Sequence, residues 1–454
     1  MGRGGHRGAS GAGRAERIDL QLGRFASDGS IVAELAGRRV AVEGGIPTET
    51  ARVALHGAGS RWRGDVVAVL DPAPERVAPR CPVVDRCGGC EWQHLDHAGQ
   101  LKHKAAIVRR LLAGQRLQAR LDAVVPMPDP WHYRVRAQIA LAESAGFRER
   151  RAKRVVRLTA CPVVHPLIDR LLEQVNRLIK LGEIPDYRGR LLVHAQVVGP
   201  AVERRLQLLL ETVDGLALDE APGLAETAAA LAGQRGVESV ALREPDGGVQ
   251  ALHGDLFSEV EIGGLSYTLP AGAFFQSNLQ LLPDLLARVR RLVDLSGGEE
   301  VADLYGGVGV FGLALSDAAA HVTVIEIEPV ASEAGRLTAA KWGRTNVDFV
   351  AAPAEEAVVD LPRLDRVVVD PPRTGLDRRV VDALVERAPE AIVYVSCNPA
   401  TFARDAAAFV RAGYAVEHLS LLDFCPQTVH VEVVARLSRA KAADPADSGS
   451  DPPD

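Results

Sequence analysis

No run of 18 uncharged apolar residues occurs in this chain of 454 residues, so nothing in it reads as a membrane-spanning helix. The first residues, Met1-Gly2-Arg3-Gly4-Gly5-His6-Arg7, lack the apolar block of a secretory leader, and the expectation is a soluble cytoplasmic protein. No fixed-period repeat is present, which sets aside solenoids and propellers. Cysteine is scarce. The six residues are Cys81, Cys87, Cys90, Cys161, Cys397 and Cys425, and in a large cytoplasmic chain they point to metal binding or catalysis rather than disulfides. Residues 1–16 and 438–454 have almost no large apolar side chains and read as disordered tails, the first of them basic.

What is present is ample apolar material, 47% of residues, in a chain long enough for two to four domains at roughly 150 residues each. The net charge of −6 conceals an asymmetry. Residues 1–160 carry 27 Lys and Arg against 16 Asp and Glu, whereas the remainder carries 26 against 43. A basic first third joined to an acidic remainder is expected when one part of a chain contacts nucleic acid and another does something else.

Between Arg17 and Pro72, short β-like runs (Ile31–Leu35, Arg39–Val42, Ala51–Leu55, Gly64–Leu70) alternate with glycine-rich turns, as in a small β-barrel of the oligonucleotide-binding kind. A proline-punctuated linker, Pro72–Pro82, leads into the cysteine cluster and an amphipathic helix around His97–Ala113. Mixed α+β structure follows to about Leu269. From Ala271 onward strands and helices alternate, which predicts a doubly wound, Rossmann-like α/β sheet.

Chemistry-bearing residues cluster at the ends of those strands. The loop Asp303-Leu304-Tyr305-Gly306-Gly307-Val308-Gly309 follows a strand and opens a helix, and Glu326 ends the next strand. Glycines such as Gly307 and Gly309 let backbone approach a ligand, and an acid at that position can accept from both ribose hydroxyls. Because the loop begins with an acid, Asp303, it suits the cationic cofactor S-adenosylmethionine better than a dinucleotide. The turn Asp370-Pro371-Pro372-Arg373 is stiffened by two prolines and presents a carboxylate and a guanidinium at a strand end. Cys397, between the apolar run Ile392–Ser396 and Asn398-Pro399, is a candidate nucleophile. Glu432 lies among valines, where a carboxyl pKa rises toward that of a general base. Cys81, Cys87, Cys90 and Cys161 supply four thiolates for an iron–sulfur cluster or tetrahedral zinc, a choice that the spacing leaves open.

Taken together, Cys81-Pro82, Cys87-Gly88-Gly89-Cys90, Tyr133-Arg134, Phe274-Phe275-Gln276-Ser277-Asn278, the glycine loop, Asp370-Pro371-Pro372-Arg373, Ser396-Cys397-Asn398-Pro399 and His430-Val431-Glu432 resemble the RNA uracil carbon-5 methyltransferase family, which makes 5-methyluridine in transfer and ribosomal RNA. The resemblance covers nearly all of residues 17–436. It implies a TRAM barrel at 17–72, a central domain at 73–270 carrying a 4Fe-4S cluster on Cys81, Cys87, Cys90 and Cys161, and an S-adenosylmethionine-dependent methyltransferase domain at 271–437. It also implies that the segment 93–124 packs with the catalytic domain. Gln276, Tyr305, Glu326 and Asp370 match cofactor-binding positions, Cys397 the nucleophile that adds to carbon 6, and Glu432 the base that removes the proton from carbon 5. Three positions depart from the family's pattern: Gly306 replaces a cysteine, Cys425 a phenylalanine, and Pro353 an acid that contacts adenine.

The leading expectation is therefore a monomeric enzyme that uses S-adenosylmethionine to methylate a uridine in ribosomal or transfer RNA. The alternatives are a non-catalytic RNA-binding protein with a structural or redox-sensing cluster, which would need neither Cys397 nor Glu432, and a small-molecule methyltransferase, which would need no barrel. Radical S-adenosylmethionine chemistry is disfavoured because its Cys-x3-Cys-x2-Cys spacing is missing.

Overall fold

Alternation with period two builds the first unit. In the strand Arg17–Phe25, Leu20, Leu22 and Phe25 turn inward while charged neighbours face out. It pairs with Ile31–Leu35 on one side and Thr50–His56 on the other; Arg38–Glu43 and Trp62–Asp71 complete a closed five-stranded barrel. The opening strand is absent from the four runs that the apolar pattern marks, because Arg17, Asp19, Gln21 and Arg24 interrupt it. This computed structural model describes residues 16–57, 62–217, 220 and 222–439. Of the tails expected at 1–16 and 438–454, residues 1–15 and 440–454 lie outside the described residues.

One end of the barrel is stopped by residues from beyond it. Trp92 is fully buried with its ring centroid 4.5 Å from that of Phe25, and Ile107 and Leu95 join the same core. Burying an aromatic side chain of this size contributes about 1.5–3 kcal/mol, so the barrel is held to the body as well as tethered.

The middle of the chain forms a seven-stranded sheet running in space from Val249–His253 through Val237–Arg243, Arg205–Thr212, Leu191–Val198, Arg136–Leu141 and Ala145–Arg148 to Val155–Arg157. The helix Pro166–Leu181 buries Ile168, Leu171, Leu172, Val175 and Leu178, a stripe at helical spacing, and stops at Gly182 with φ 77°.

The last third forms an eight-stranded sheet in the order Val347–Ala351, His321–Glu326, Glu300–Leu304, Arg366–Val369, Ala391–Ser396, Glu432–Arg439, Tyr414–Leu422, Ala123–Val125. The first five strands are parallel, so the loops after Leu304, Glu326, Val369 and Ser396 open at one edge, where such sheets carry their chemistry. The strand Glu432–Arg439 continues two residues past the expected boundary at 437, because Ser438 is paired with Ala391 and Ala415 in the ladder.

Two segments cross the sequence boundaries. The strand Ala123–Val125 lies parallel to Ser420–Leu422 at the sheet edge, and the helix His97–Gly114 packs against the helix Pro399–Arg411. The hairpin Phe257–Ile262/Leu265–Pro270 precedes residue 271 in sequence, yet it is fixed to the helix Pro329–Lys341 through Thr268 N to Thr338 Oγ1 (2.9 Å) and Trp342 Nε1 to Ser266 O (3.0 Å). Among the described residues no helix is long and apolar enough to cross a membrane.

Candidate active site

The glycine loop bends tightly where the strand Glu300–Leu304 ends: Tyr305, Gly307 and Gly309 have φ of 61°, 58° and 82°. Glu326 closes it. Its Oε2 accepts from Gly307 N (2.9 Å) and its Oε1 from Glu328 N (2.9 Å), which aims the carboxylate along the loop. Across from it, Gln276 Nε2 donates to Asp370 Oδ2 (3.0 Å). Gln276, Tyr305, Gly307, Glu326 and Asp370 all line one cavity of about 370 Å³, whose walls also include Phe274 and Phe275.

Gly309 is not in that wall. It stands at the N-cap of the short helix Val310–Leu315, where a Cβ would come within 2.8 Å of the Phe349 ring, so its role is conformation and packing. Asp303 also differs from the expectation that it faces a cationic cofactor. It is fully buried beneath the loop, Oδ2 accepts from Gly312 N (2.7 Å), and burial pushes its pKa up to about 7. The acids that do face the cavity are Glu326, Glu328 and Asp370; burial raises Asp370 to about 7 despite the Gln276 bond. Pro353 caps the helix Ala354–Asp360. Arg136 and Arg243, from the seven-stranded sheet, complete the opposite wall and had no local sequence signal.

Cys397 is held between two rigid elements. The strand Ala391–Ser396 is buried throughout; Asn398 Oδ1 then caps the next helix by accepting from Ala400 N (3.1 Å), and Pro399 is its first residue. Asn398 Nδ2 also donates to Arg373 O (2.8 Å), which ties the Asp-Pro-Pro-Arg turn to the thiol loop. The thiol itself is half-buried and lines a second cavity of about 280 Å³. Burial first, then Glu432 and Asp370, push its pKa up to about 11, while Arg373 acts in the opposite direction. Glu432 opens the strand that flanks Ala391–Ser396. It is buried, its Oε1 has no hydrogen-bond partner among the described residues, and burial reinforced by Asp370 raises its pKa well above the carboxylate range. The fold thus brings the thiol, the buried acid and the Asp370 carboxylate of the first cavity into one electrostatic neighbourhood.

Lys104, which no sequence motif marks, pins the segment before Glu432. Its Nζ donates to Asp423 Oδ1 (2.6 Å) and Cys425 O (2.9 Å), and both charged side chains are fully buried. Gln427 N donates to Gln100 Oε1 (2.8 Å), and Tyr133 OH to Pro426 O (3.0 Å). A signal exists in outline: Gln100, Lys104 and Val108 recur every fourth residue on one buried helical face. Cys425 sits in this clamp, away from the other cysteines.

Cys81, Cys87, Cys90 and Cys161 line a third cavity, of about 430 Å³. Each is buried to 7–8% exposure. Gln93 Oε1 accepts from Cys81 N (3.0 Å), Asp169 Oδ1 from Cys161 N (2.6 Å), and Arg150 Nη2 donates to Cys90 O (2.8 Å), so the backbone around the thiols is fixed. Burial raises the Cys87 thiol and pushes Cys90 to about 12 and Cys161 to about 11. Among the described residues no three His, Cys, Asp or Glu side chains converge on a point as ligands of one ion would; these four thiols surround a space instead.

A family model described as tRNA (Uracil-5-)-methyltransferase matches residues 256–440. An uncharacterized RNA methyltransferase of Halalkalibacterium halodurans is 31% identical over 92% of this chain and 96% of its own length. Another, from Thermosynechococcus vestitus, is 32% identical over 93% and 98%. Among solved structures, the Pyrococcus abyssi tRNA (uracil-54, C5)-methyltransferase in complex with S-adenosyl-L-homocysteine superposes with a TM-score of 0.73 at 26% identity, covering 92% of this chain and all of that one.

Proposed function

This chain belongs to the S-adenosylmethionine-dependent RNA uracil carbon-5 methyltransferases, and from that premise we propose that it makes 5-methyluridine in a cytoplasmic ribosomal or transfer RNA through a covalent adduct on Cys397. The observation that carries the reading is the placement of a half-buried thiol beside a buried Glu432 whose Oε1 has no hydrogen-bond partner among the described residues, next to the cavity lined by Gln276, Tyr305, Gly307, Glu326 and Asp370. S-adenosylmethionine bound in that cavity supplies an electrophilic methyl group. Carbon 5 of uracil is a poor nucleophile, so the Cys397 thiolate first adds to carbon 6, and the electron pair of the 5,6 double bond moves toward the carbonyl at carbon 4. Carbon 5 can then take the methyl group. Glu432 removes the proton left on carbon 5, the double bond re-forms, and the thiol departs.

Residues 17–72 fit a TRAM barrel, and the basic excess of the first third suits a phosphate backbone. The third cavity suits a 4Fe-4S cluster held by Cys81, Cys87, Cys90 and Cys161: four thiols line one space, and bonding to cationic iron would offset the burial that raises the Cys87, Cys90 and Cys161 thiols. Such a cluster would cross-link the loop 81–90 to the central sheet. The test is RNA containing 5-fluorouridine, whose fluorine at carbon 5 cannot be removed as a proton. The protein with S-adenosylmethionine should form an adduct with this RNA that survives denaturing electrophoresis, and Cys397→Ala should form none. Full methylation activity in Cys397→Ala would refute the mechanism.

A further inference from the structure

The cavity beside Cys397 contains a group that the chemistry above leaves idle. Three parts of the chain meet there: Ser27 and Asp28 from a barrel turn, Glu91 from just beyond the paired cysteines, and Arg373, Cys397 and His430 from the catalytic domain. Glu91 is fixed at its backbone, where N donates to Gln427 O (3.2 Å). Its Oε2, however, is shielded from solvent and has no hydrogen-bond partner among the described residues. A buried acceptor without a donor is costly unless a ligand provides one.

We propose that Glu91 is a specificity-determining residue that reads the Watson–Crick edge of the target base, with Oε2 accepting from N3–H of the uracil held against Cys397. This rests on the functional reading above. The chemistry of the edge makes it selective: uracil presents a donor at N3, whereas cytosine presents a lone pair there, which a carboxyl acceptor repels. A base flipped out of its stack loses its pairing partner, and a fixed acceptor replaces that partner. The barrel turn at Ser27 and Asp28 closes the same cavity, so entry of the base and engagement of the barrel are coupled.

The test uses the full-length protein and RNA from cells that lack it, grown with 5-fluorouracil, and measures the rate of adduct formation for wild type, Glu91→Ala and Glu91→Gln. A buried N3–H left without an acceptor implies that Glu91→Ala slows the adduct roughly 10- to 100-fold. Glu91→Gln, which keeps an acceptor in nearly the same place, stays within about threefold of wild type. Binding of S-adenosylhomocysteine and the visible absorbance of the purified proteins remain unchanged in both variants, which separates base reading from damage to the cofactor cavity or to the neighbouring cysteines. An adduct rate in Glu91→Ala equal to wild type, or equal losses in Ala and Gln, would overturn the proposal. Failure of the wild-type protein to form any adduct would instead overturn the methylation reading, and this inference with it.

Discussion

Replacing Lys104 by methionine tests whether the buried clamp holds the catalytic loop. Lys104 and Asp423 are both fully buried, and the lysine also satisfies Cys425 O. Methionine keeps the volume but removes the charge, leaving the Asp423 carboxylate, among the described residues, with His97 Nε2 at 2.8 Å. Removing one partner of a buried pair costs about 3–5 kcal/mol, mainly because the remaining charge is stranded. Urea denaturation followed by circular dichroism should show a loss of that size for Lys104→Met. The double variant Lys104→Met/Asp423→Leu, which leaves neither charge of the pair stranded, should recover at least half of it. Burial alone would raise the Asp423 carboxyl, but Lys104 and His97 outweigh that and hold it below the usual range. A carboxyl depressed in the folded state stabilises it above the unfolded pKa of about 3.9 and loses that contribution as pH falls through the folded value. Lys104→Met should therefore lose less stability than wild type on acidification. A single variant within about 1 kcal/mol of wild type, or a double variant no better than the single, would refute the reasoning.

Glu432→Gln should slow turnover about 10²- to 10⁴-fold while RNA free of 5-fluorouridine accumulates as a methylated covalent complex, seen on denaturing gels; rapid turnover without an adduct would count against the base role. Arg373→Ala removes the positive charge that opposes the upward push on Cys397. Because the thiolate is the reacting form, the profile of adduct formation against pH should move to higher pH, and the rate near neutrality should fall about tenfold for every pH unit that the profile moves; an unmoved profile would contradict this. A Cβ at Gly306 would lie 2.4 Å from Val324 Cγ1, so Gly306→Ala should cost about 1–3 kcal/mol in thermal or urea unfolding and Val324→Ala should restore part of it. Cys161→Ser should abolish bound iron and visible absorbance in anaerobically purified protein; unaltered iron content would remove Cys161 from the ligand set.

Much of the catalytic sheet was legible because fully buried parallel strands are continuous apolar runs, and because Asn398-Pro399 announces both the end of a strand and the cap of a helix. Part of the lining of the first cavity, Tyr305, Gly307 and Glu326, was legible through a glycine loop and an acid at fixed offsets. Asp303 was misread because sequence shows that an acid begins the loop but not which way its side chain turns; burial directs it to Gly312 N. The strand Arg17–Phe25 hid behind its charged outer face. Nothing local marks Glu91, and Ala123–Val125 is three residues long, with a partner that only the folded chain supplies. Interactions set by tertiary pairing rather than by period leave no trace in a window of the sequence.

That last strand has a consequence for how the protein is made. Asp122 and Leu419, bonded at the sheet edge through Leu419 N and Asp122 Oδ2 (3.0 Å), are 297 residues apart. At about 5–20 residues per second, roughly 15–60 s of synthesis separate the emergence of the first strand from that of its partner. During that interval the helix 97–114 can rest its Ile107 face on the barrel, but Lys104 lacks both Asp423 and Cys425 O. The barrel and central sheet can form in order, but the catalytic domain cannot be completed until the chain is nearly finished, and a fragment beginning at residue 256 would lack both its edge strand and its clamp. The basic part of the molecule is thus assembled first, and Cys397 is enclosed last.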